Sequence, residues 1–102
     1  MSNPLTAGLK PVHPGELLRE DVIPALGRPK AEIARLLCIS RQTLYDLLNE
    51  RQPITANLAL RIGKLTGTSG ESWLRLQQAY DIKHAEQELA PVLDRIPTLE
   101  AV

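Results

Sequence analysis

The sequence is poor in cysteine and in aromatic residues. It has one Cys, one Trp, two Tyr and no Phe among its 102 residues. A single Cys excludes an internal disulfide framework and a cysteine-rich metal site. With so few aromatic residues, the core must be built from Leu, Ile, Val and Ala, and a chain of this length is typical of one domain.

Long apolar runs are absent as well. No stretch approaches the roughly 18 apolar residues of a transmembrane helix, so we expect no membrane partner. The opening MSNPLTAGLKPVHPGE lacks the basic region and apolar run of a secretion signal. Because a single thiol also suits a reducing compartment, we expect a cytoplasmic protein.

The formal net charge is zero, but the charges are unevenly distributed. Residues 28–64 hold seven basic and three acidic side chains, a local charge of +4. Residues 1–27, with two basic and three acidic, carry −1, and residues 65–102, with three basic and six acidic, carry −3. A basic middle between acidic flanks is typical of a nucleic-acid-binding domain with a separate partner surface. Chance clustering on a solvated face is the alternative.

The spacing of apolar residues predicts an all-α fold. A first helix should start near Pro14 and end where Pro24 cannot continue it and Gly27 closes the segment. Pro29 should start a second helix, whose inner face would be Ile33, Ala34 and Leu37.

Hydroxyl side chains at N-cap positions predict the starts of three further helices: Ser40, Thr55 and Ser69. The first of these should run from Arg41 to about Asn49, and the next should end at Gly67. Residues 81–90 suit a sixth, polar helix. We expect Pro91 and Pro97 to break up the tail that follows.

The expected organisation has three parts. Residues 1–12 should form a flexible arm, residues 13–78 a compact helical domain, and residues 79–102 a C-terminal helix and tail.

The stretch IARLLCISRQTLYDLLN, residues 33–49, joins two predicted helices by about three residues. So short a turn favours a helix-turn-helix, whose second helix enters the major groove of DNA. Leu44 and Leu47 would bury one face of that helix and leave a polar face opposite. An ordinary αα-hairpin with a solvated polar face is the alternative.

The polar face carries side chains that suit base edges and phosphates. Arg pairs bidentately with guanine, and Gln or Asn pairs with adenine. We predict that three residues read bases: Arg41, Gln42 and Thr43. We predict that four others hold phosphates: Lys30, Ser40, Asn49 and Arg51.

Cys38 occupies the turn, where the chain must reverse direction. The simplest route puts this residue in the left-handed region, for which Gly is the natural choice. We therefore expect mild backbone strain at Cys38.

Four motifs, taken in order, resemble the HigA-type antitoxins, also described as VapI-like. They are His13-Pro14-Gly15-Glu16, Ser40-Arg41-Gln42-Thr43-Leu44, Pro53-Ile54-Thr55, and Trp73-Leu74-x-Leu76-Gln77 with Tyr80-Asp81. The resemblance covers roughly residues 13–85. Two positions depart from the family pattern: Cys38 replaces the turn Gly, and Lys30 stands where the class often carries Gln.

The resemblance implies a five-helix, lambda-repressor-like DNA-binding domain that dimerises. It also implies an operator upstream of the protein's own operon and a small ribonuclease toxin that the protein neutralises. Some relatives of this type act as plain regulators, so a stand-alone helix-turn-helix regulator or interaction adaptor is the alternative.

A homodimer is also expected on physical grounds, because one short recognition helix covers too little DNA for tight binding. We call residues 28–64 the basic block. The side chains most available for an interface lie beyond it: Trp73, Leu76, Tyr80, Ile82 and Leu89.

Other residues with reactive side chains are better explained by structural roles. His13 suits a helix start rather than a metal site, because no ligand cluster lies at the required spacing. Cys38 has no resolving partner for redox chemistry, and Ser40 has no His or Asp partner in pattern. We expect no enzyme activity, no metal and no cofactor.

Overall fold

The computed structural model describes residues 11–100, and its regular structure there is entirely helical. Helix α1 covers residues 14–26 in three segments: Pro14–Leu17, Leu18–Val22 and Ile23–Leu26. The others are α2 (Lys30–Leu37), α3 (Arg41–Leu48), α4 (Ala56–Thr66) and α5 (Gly70–Leu93). The prediction of an all-α, five-helix domain is confirmed. The expected arm, residues 1–12, lies almost wholly outside the described residues.

The three predicted N-caps are confirmed. The hydroxyl oxygens of Ser40, Thr55 and Ser69 each accept the backbone N–H three residues later, at the starts of α3, α4 and α5. Each bond satisfies one of the N–H groups that a helix start leaves without a partner. Gly27 and Gly67 end α1 and α4 in the left-handed conformation, as expected.

The expectation that Pro24 ends the first helix is wrong. The helix continues to Leu26 because a π-helical turn, Leu18–Val22, comes directly before the proline-containing segment. The N–H of Ile23 bonds to the carbonyl of Leu18, five residues back. Pro24 therefore lies in the first turn of a new α-helical segment, where its missing N–H is not needed.

The break expected at Pro91 is also wrong. Residues 81–90 do not form a separate helix, because α5 runs without interruption from Gly70 to Leu93 and contains Pro91. The proline lies in the last turn, so only a short piece of helix follows it. The chain leaves the helix at Asp94, ahead of Pro97.

Every helix contributes to one apolar core. α3 contributes Leu44, Leu47 and Leu48, and α5 contributes Trp73, which is 4% exposed. The remaining buried apolar residues are Leu18, Ile23, Ile33, Ala34, Leu37, Ile54, Leu58, Ala59 and Ile62.

Gly15 allows α1 to approach the end of α3. A Cβ at this position would collide with the backbone carbonyl oxygen of Leu47, which has no freedom to move aside. Only glycine fits, and the start of α1 is therefore held against the helix that follows the turn.

The domain is elongated, with extents of 53 × 27 × 25 Å. The second half of α5, from Asp81 onward, is exposed along its whole length. No helix within residues 11–100 is long and apolar enough to cross a membrane.

Candidate nucleic-acid interface

Helix α3 has one buried face and one solvent-facing side. Leu44, Leu47 and Leu48 lie in the core, while Arg41 and Gln42 are exposed at the N-terminal end. The inner leucines fix the axis and rotation of the helix. The outer side chains are consequently presented on a rigid scaffold rather than on a loop.

Three residues, Cys38 to Ser40, connect α2 to α3. Cys38 has φ 59° and ψ 41°, so the predicted left-handed conformation is confirmed. The N–H of Cys38 bonds to the carbonyl of Arg35, and the N–H of Ile39 bonds to that of Ala34, both at 3.0 Å. This pair of bonds is the Schellman arrangement that closes a helix C-terminus.

Arg61, on α4, completes the closure of this turn. Its Nη1 donates to the carbonyl oxygens of Leu37 at 2.9 Å and Cys38 at 3.0 Å, and Asn57 accepts from its Nε at 2.6 Å. A guanidinium at a helix C-terminus also complements the helix dipole. Arg61 therefore fixes the turn, a role that its place in the basic block did not reveal.

The N-terminal end of α3 presents the side chains that were expected to read bases. Ser40 accepts the Thr43 N–H at 3.0 Å, and the two hydroxyls are 2.8 Å apart. Ser40 therefore caps α3, and Thr43 is half-buried beside it. Arg41 and Gln42 occupy the first two positions of the helix and are exposed.

One turn further along, the outer side of α3 carries an acid. Asp46 Oδ1 accepts a hydrogen bond from Gln42 Nε2 at 2.8 Å and lies 3.9 Å from Arg51 Nη1. The N–H of Arg51 also donates to the Asp46 carbonyl at 2.8 Å. Gln42, Asp46 and Arg51 thus form one connected polar row.

Lys30 and Tyr45 meet beside this row. The Lys30 Nζ lies 5.7 Å from the centroid of the Tyr45 ring, and the ring is 42% exposed. The N-terminus of α2 therefore brings the Lys30 ammonium group to the outer side of α3. The phosphate contact of Lys30 stays a prediction.

The C-terminal end of α3 is held from α1. Arg19 Nη1 donates to the Leu48 carbonyl at 2.7 Å and lies 3.3 Å from Glu50 Oε2. Glu50 has φ 60°, a left-handed conformation that is uncommon for this residue type. Asn49 and Arg51 flank it and are exposed.

The residues expected at a dimer interface are divided between core and surface. Trp73 lies in the core and its Nε1 donates to Thr68 Oγ1 at 2.8 Å. Its inclusion among surface-available residues is wrong, because the ring is occupied within the monomer. Leu76, Ile82 and Leu89 are exposed on α5, and the interface itself stays a prediction.

Tyr80 is half-buried at the junction of α1 and α5. Its ring contacts His13 edge-on, with centroids 4.9 Å apart, and lies 4.2 Å from the ring of His84. The Tyr80 ring is therefore partly occupied within the monomer, and its place in an interface stays a prediction.

His13 is a helix cap, as predicted. Its Nδ1 accepts the Gly15 N–H at 2.9 Å, and the side chain is buried. Burial lowers the pKa of His13, against smaller opposing effects of the Glu50 and Asp81 carboxylates. Within residues 11–100, no group of three His, Cys, Asp or Glu side chains is arranged to hold a metal ion.

No protein-family model matches the chain. The chain is 37% identical over 86 residues to virulence-associated protein I of Dichelobacter nodosus, covering 84% of this chain and 80% of that protein. A solved structure of antitoxin GraA in complex with its operator has a TM-score of 0.84 and 35% identity, covering 99% of both chains.

Pseudomonas aeruginosa antitoxin HigA, solved with the higBA promoter, superimposes with a TM-score of 0.83 at 32% identity. The match covers 89% of this chain and all of that one. Sequence and structure therefore lead to the same group of proteins, which are antitoxins and helix-turn-helix regulators rather than enzymes. The chain belongs to the HigA-type, VapI-like family of helix-turn-helix antitoxins.

Proposed function

We propose that the protein is an antitoxin that binds operator DNA through α3 and represses its own operon. The observation that carries this proposal is the exposure of Arg41 and Gln42 at the start of α3, a helix whose opposite face is buried through its leucines. Relatives of the same fold have been solved with operator or promoter DNA. Arg41 and Gln42 occupy the positions from which a recognition helix contacts base edges.

Phosphate contacts would surround Arg41 and Gln42. Lys30 lies on one side of α3, and Asn49 and Arg51 lie at its far end. Groups beside the recognition helix and at its C-terminal end can hold neighbouring phosphates and so fix its register on the duplex. The local +4 charge of residues 28–64 supports the same orientation.

A gel-shift titration on DNA upstream of the protein's reading frame tests the proposal. Arg41→Ala should weaken binding by roughly 1–3 kcal/mol and relax specificity at one base pair. Arg75→Ala is the matched control, since Arg75 is also an exposed arginine but lies on α5. Unchanged affinity of Arg41→Ala would contradict the assignment of α3 as the reading helix.

A dimer would place two copies of α3 on one face of the duplex, with half-sites about 34 Å apart. The exposed apolar side chains of α5 support this proposal, because they lie outside the basic block. Light scattering at micromolar concentration should give twice the monomer mass of 11.3 kDa. A monomer mass would contradict it.

Neutralisation of a ribonuclease toxin is the second part of the proposed function. The chain after residue 64 carries −3, which suits a basic partner. Toxin and operator should use different surfaces, so Arg41→Ala should protect cells from the toxin as well as wild type does. Loss of protection in a co-expression growth assay, with the variant still folded, would refute that separation.

The alternative, a stand-alone regulator, is distinguished by the genome. A short basic reading frame directly beside the gene favours the antitoxin, and its absence favours the regulator. In either case the protein would act on DNA, and we therefore place it in the cytoplasm.

A further inference from the structure

We propose that Asp46 is a positioning residue for base recognition: it orients the Gln42 amide so that this side chain reads adenine. The inference rests on the proposed function, because it assumes that α3 lies in the major groove. Asp46 itself is negatively charged, so it is not a residue type that attracts DNA phosphates.

The hydrogen bond between Gln42 and Asp46 has one possible direction. Gln42 and Asp46 are one helical turn apart, and Gln42 Nε2 donates to Asp46 Oδ1 at 2.8 Å. A carboxylate only accepts hydrogen bonds, so the amide must turn its NH₂ group toward Asp46 and not its oxygen. The carboxylate thus removes the two-fold ambiguity of the Gln42 amide.

The oriented Gln42 amide keeps one donor and one acceptor for a base. One N–H is used by Asp46, and the other N–H and the carbonyl oxygen remain available. Adenine presents N7 as an acceptor and its N6 amino group as a donor in the major groove, which matches this pair. Guanine presents two acceptors, N7 and O6, and therefore opposes the amide oxygen.

A neighbouring cation makes the Asp46 carboxylate acceptable beside DNA phosphates. The Arg51 guanidinium lies 3.9 Å from the same carboxylate oxygen, and the Arg51 N–H bonds to the Asp46 carbonyl. The positive charge offsets that of Asp46 at the protein–DNA boundary. Arg51 therefore supports the orientation of Asp46 while remaining exposed for a phosphate contact.

Asp46 differs from the other two acids of residues 28–64 in its hydrogen-bond partner. Within residues 28–64, all of which the structure describes, Glu32 pairs with Arg28 and Glu50 pairs with Arg19. The partners of those two acids are basic side chains that come before α3 in the chain. Asp46 accepts its hydrogen bond from a side chain at the N-terminal end of α3.

The test uses duplexes that the full-length wild-type protein selects from a random pool, followed by every single base-pair change in the selected half-site. Fluorescence anisotropy then gives a Kd for each duplex. Wild type should prefer adenine at one position by about tenfold or more. Gln42→Ala should abolish that preference, which identifies the position that Gln42 reads.

Asp46→Ala should reduce the preference at that same position severalfold, without a matching change at the positions read by other residues. In the Gln42→Ala background, Asp46→Ala should leave the ratio at this position unchanged. Asp46→Asn should give an intermediate ratio, because its amide can accept from Gln42 in only one of its two orientations. Asp46 lies outside the core, so urea unfolding should show the variants folded.

Two results overturn the inference. The first is a uniform change in affinity for every duplex on Asp46→Ala, which would mean that the carboxylate acts only through net charge. The second is a preference for adenine at that position that Asp46→Ala leaves unchanged. Failure of wild type to enrich any sequence from the pool would instead refute the proposed function, so the two failures are distinguishable.

Discussion

Replacing Cys38 with glycine should stabilise the fold. An L-residue in the left-handed region costs about 1–2 kcal/mol through contact of its Cβ with the following carbonyl. Cys38 adopts this conformation at φ 59°, and glycine would escape the contact. Glycine is also more flexible in the unfolded chain, which offsets about 0.4–1 kcal/mol of this gain in stability. The thiol is exposed, so little packing is lost.

The net expectation for Cys38→Gly is a gain of about 0.5–1 kcal/mol in the free energy of unfolding. For a chain of this size, that corresponds to a rise in Tm of roughly 2–8 °C. Cys38→Val should have the opposite effect, because a β-branched side chain tolerates positive φ worst.

Trp73 provides the assay. It is the only Trp in the chain and is buried, so its fluorescence reports urea unfolding directly. Gly27→Ala is the matched control. Gly27 has φ 64° and no atom lies within 4 Å of the position that a Cβ would take. That variant therefore measures the backbone cost alone, and it should lose about as much stability as Cys38→Gly gains.

A Cys38→Gly variant less stable than wild type by about 1 kcal/mol or more would contradict backbone strain at Cys38. The left-handed conformation would then carry no net cost at this turn. A Gly27→Ala variant as stable as wild type would point to the same conclusion from an independent site.

Three further predictions concern the contacts that position α1 and the turn. Gly15→Ala should destabilise the fold by about 1–3 kcal/mol in urea unfolding, since the added Cβ meets the Leu47 carbonyl; an unchanged midpoint would contradict that contact. Arg61→Met keeps the aliphatic stem but removes two hydrogen bonds at the end of α2, and a loss of about 1–2 kcal/mol is expected by the same assay. Because burial lowers the pKa of His13 below its usual 6.5, the unfolded chain takes up the proton first, so stability is full above pH 6.5 and falls as pH drops through that value. His13→Asn keeps the cap without titrating, and its stability should depend less on pH between 7.5 and 5.5; equal pH dependence of the two proteins would refute the role of His13.

Features that depend on near neighbours in the chain were predictable from the sequence. The caps Ser40, Thr55 and Ser69 each act within three residues, and the left-handed Cys38 follows from the shortness of its turn. Local steric and hydrogen-bonding rules determine such features, so a sequence pattern is sufficient.

Features that depend on distant partners were not predictable. Arg19 bonds to a carbonyl 29 residues away, and Arg61 bonds to carbonyls 24 and 23 residues away. Gln77 similarly accepts the Ile54 N–H at 2.8 Å from 23 residues along the chain. No spacing rule relates these positions, and an arginine in a basic block looks the same whether it clamps a turn or contacts DNA.

The two proline errors have a different cause. The π turn before Pro24 starts a new α-helical segment, and the N–H groups of a first helical turn need no helical partner. Pro91 does remove one backbone hydrogen bond, but it lies near the end of α5, so only two helical residues follow it. The local sequence does not predict a π turn, because such a turn is defined by its hydrogen-bond partners rather than by particular residue types.

The separation of α3 into two sides has a consequence for how such a protein can evolve. Substitutions at exposed positions such as Arg41 and Gln42 alter the outer side, while Leu44 and Leu47 determine whether the chain folds. Under the proposed function, operator preference is therefore free to drift among descendants that keep one architecture. Duplicated copies in a single cell can then acquire separate targets by a few surface changes and avoid regulating each other's genes.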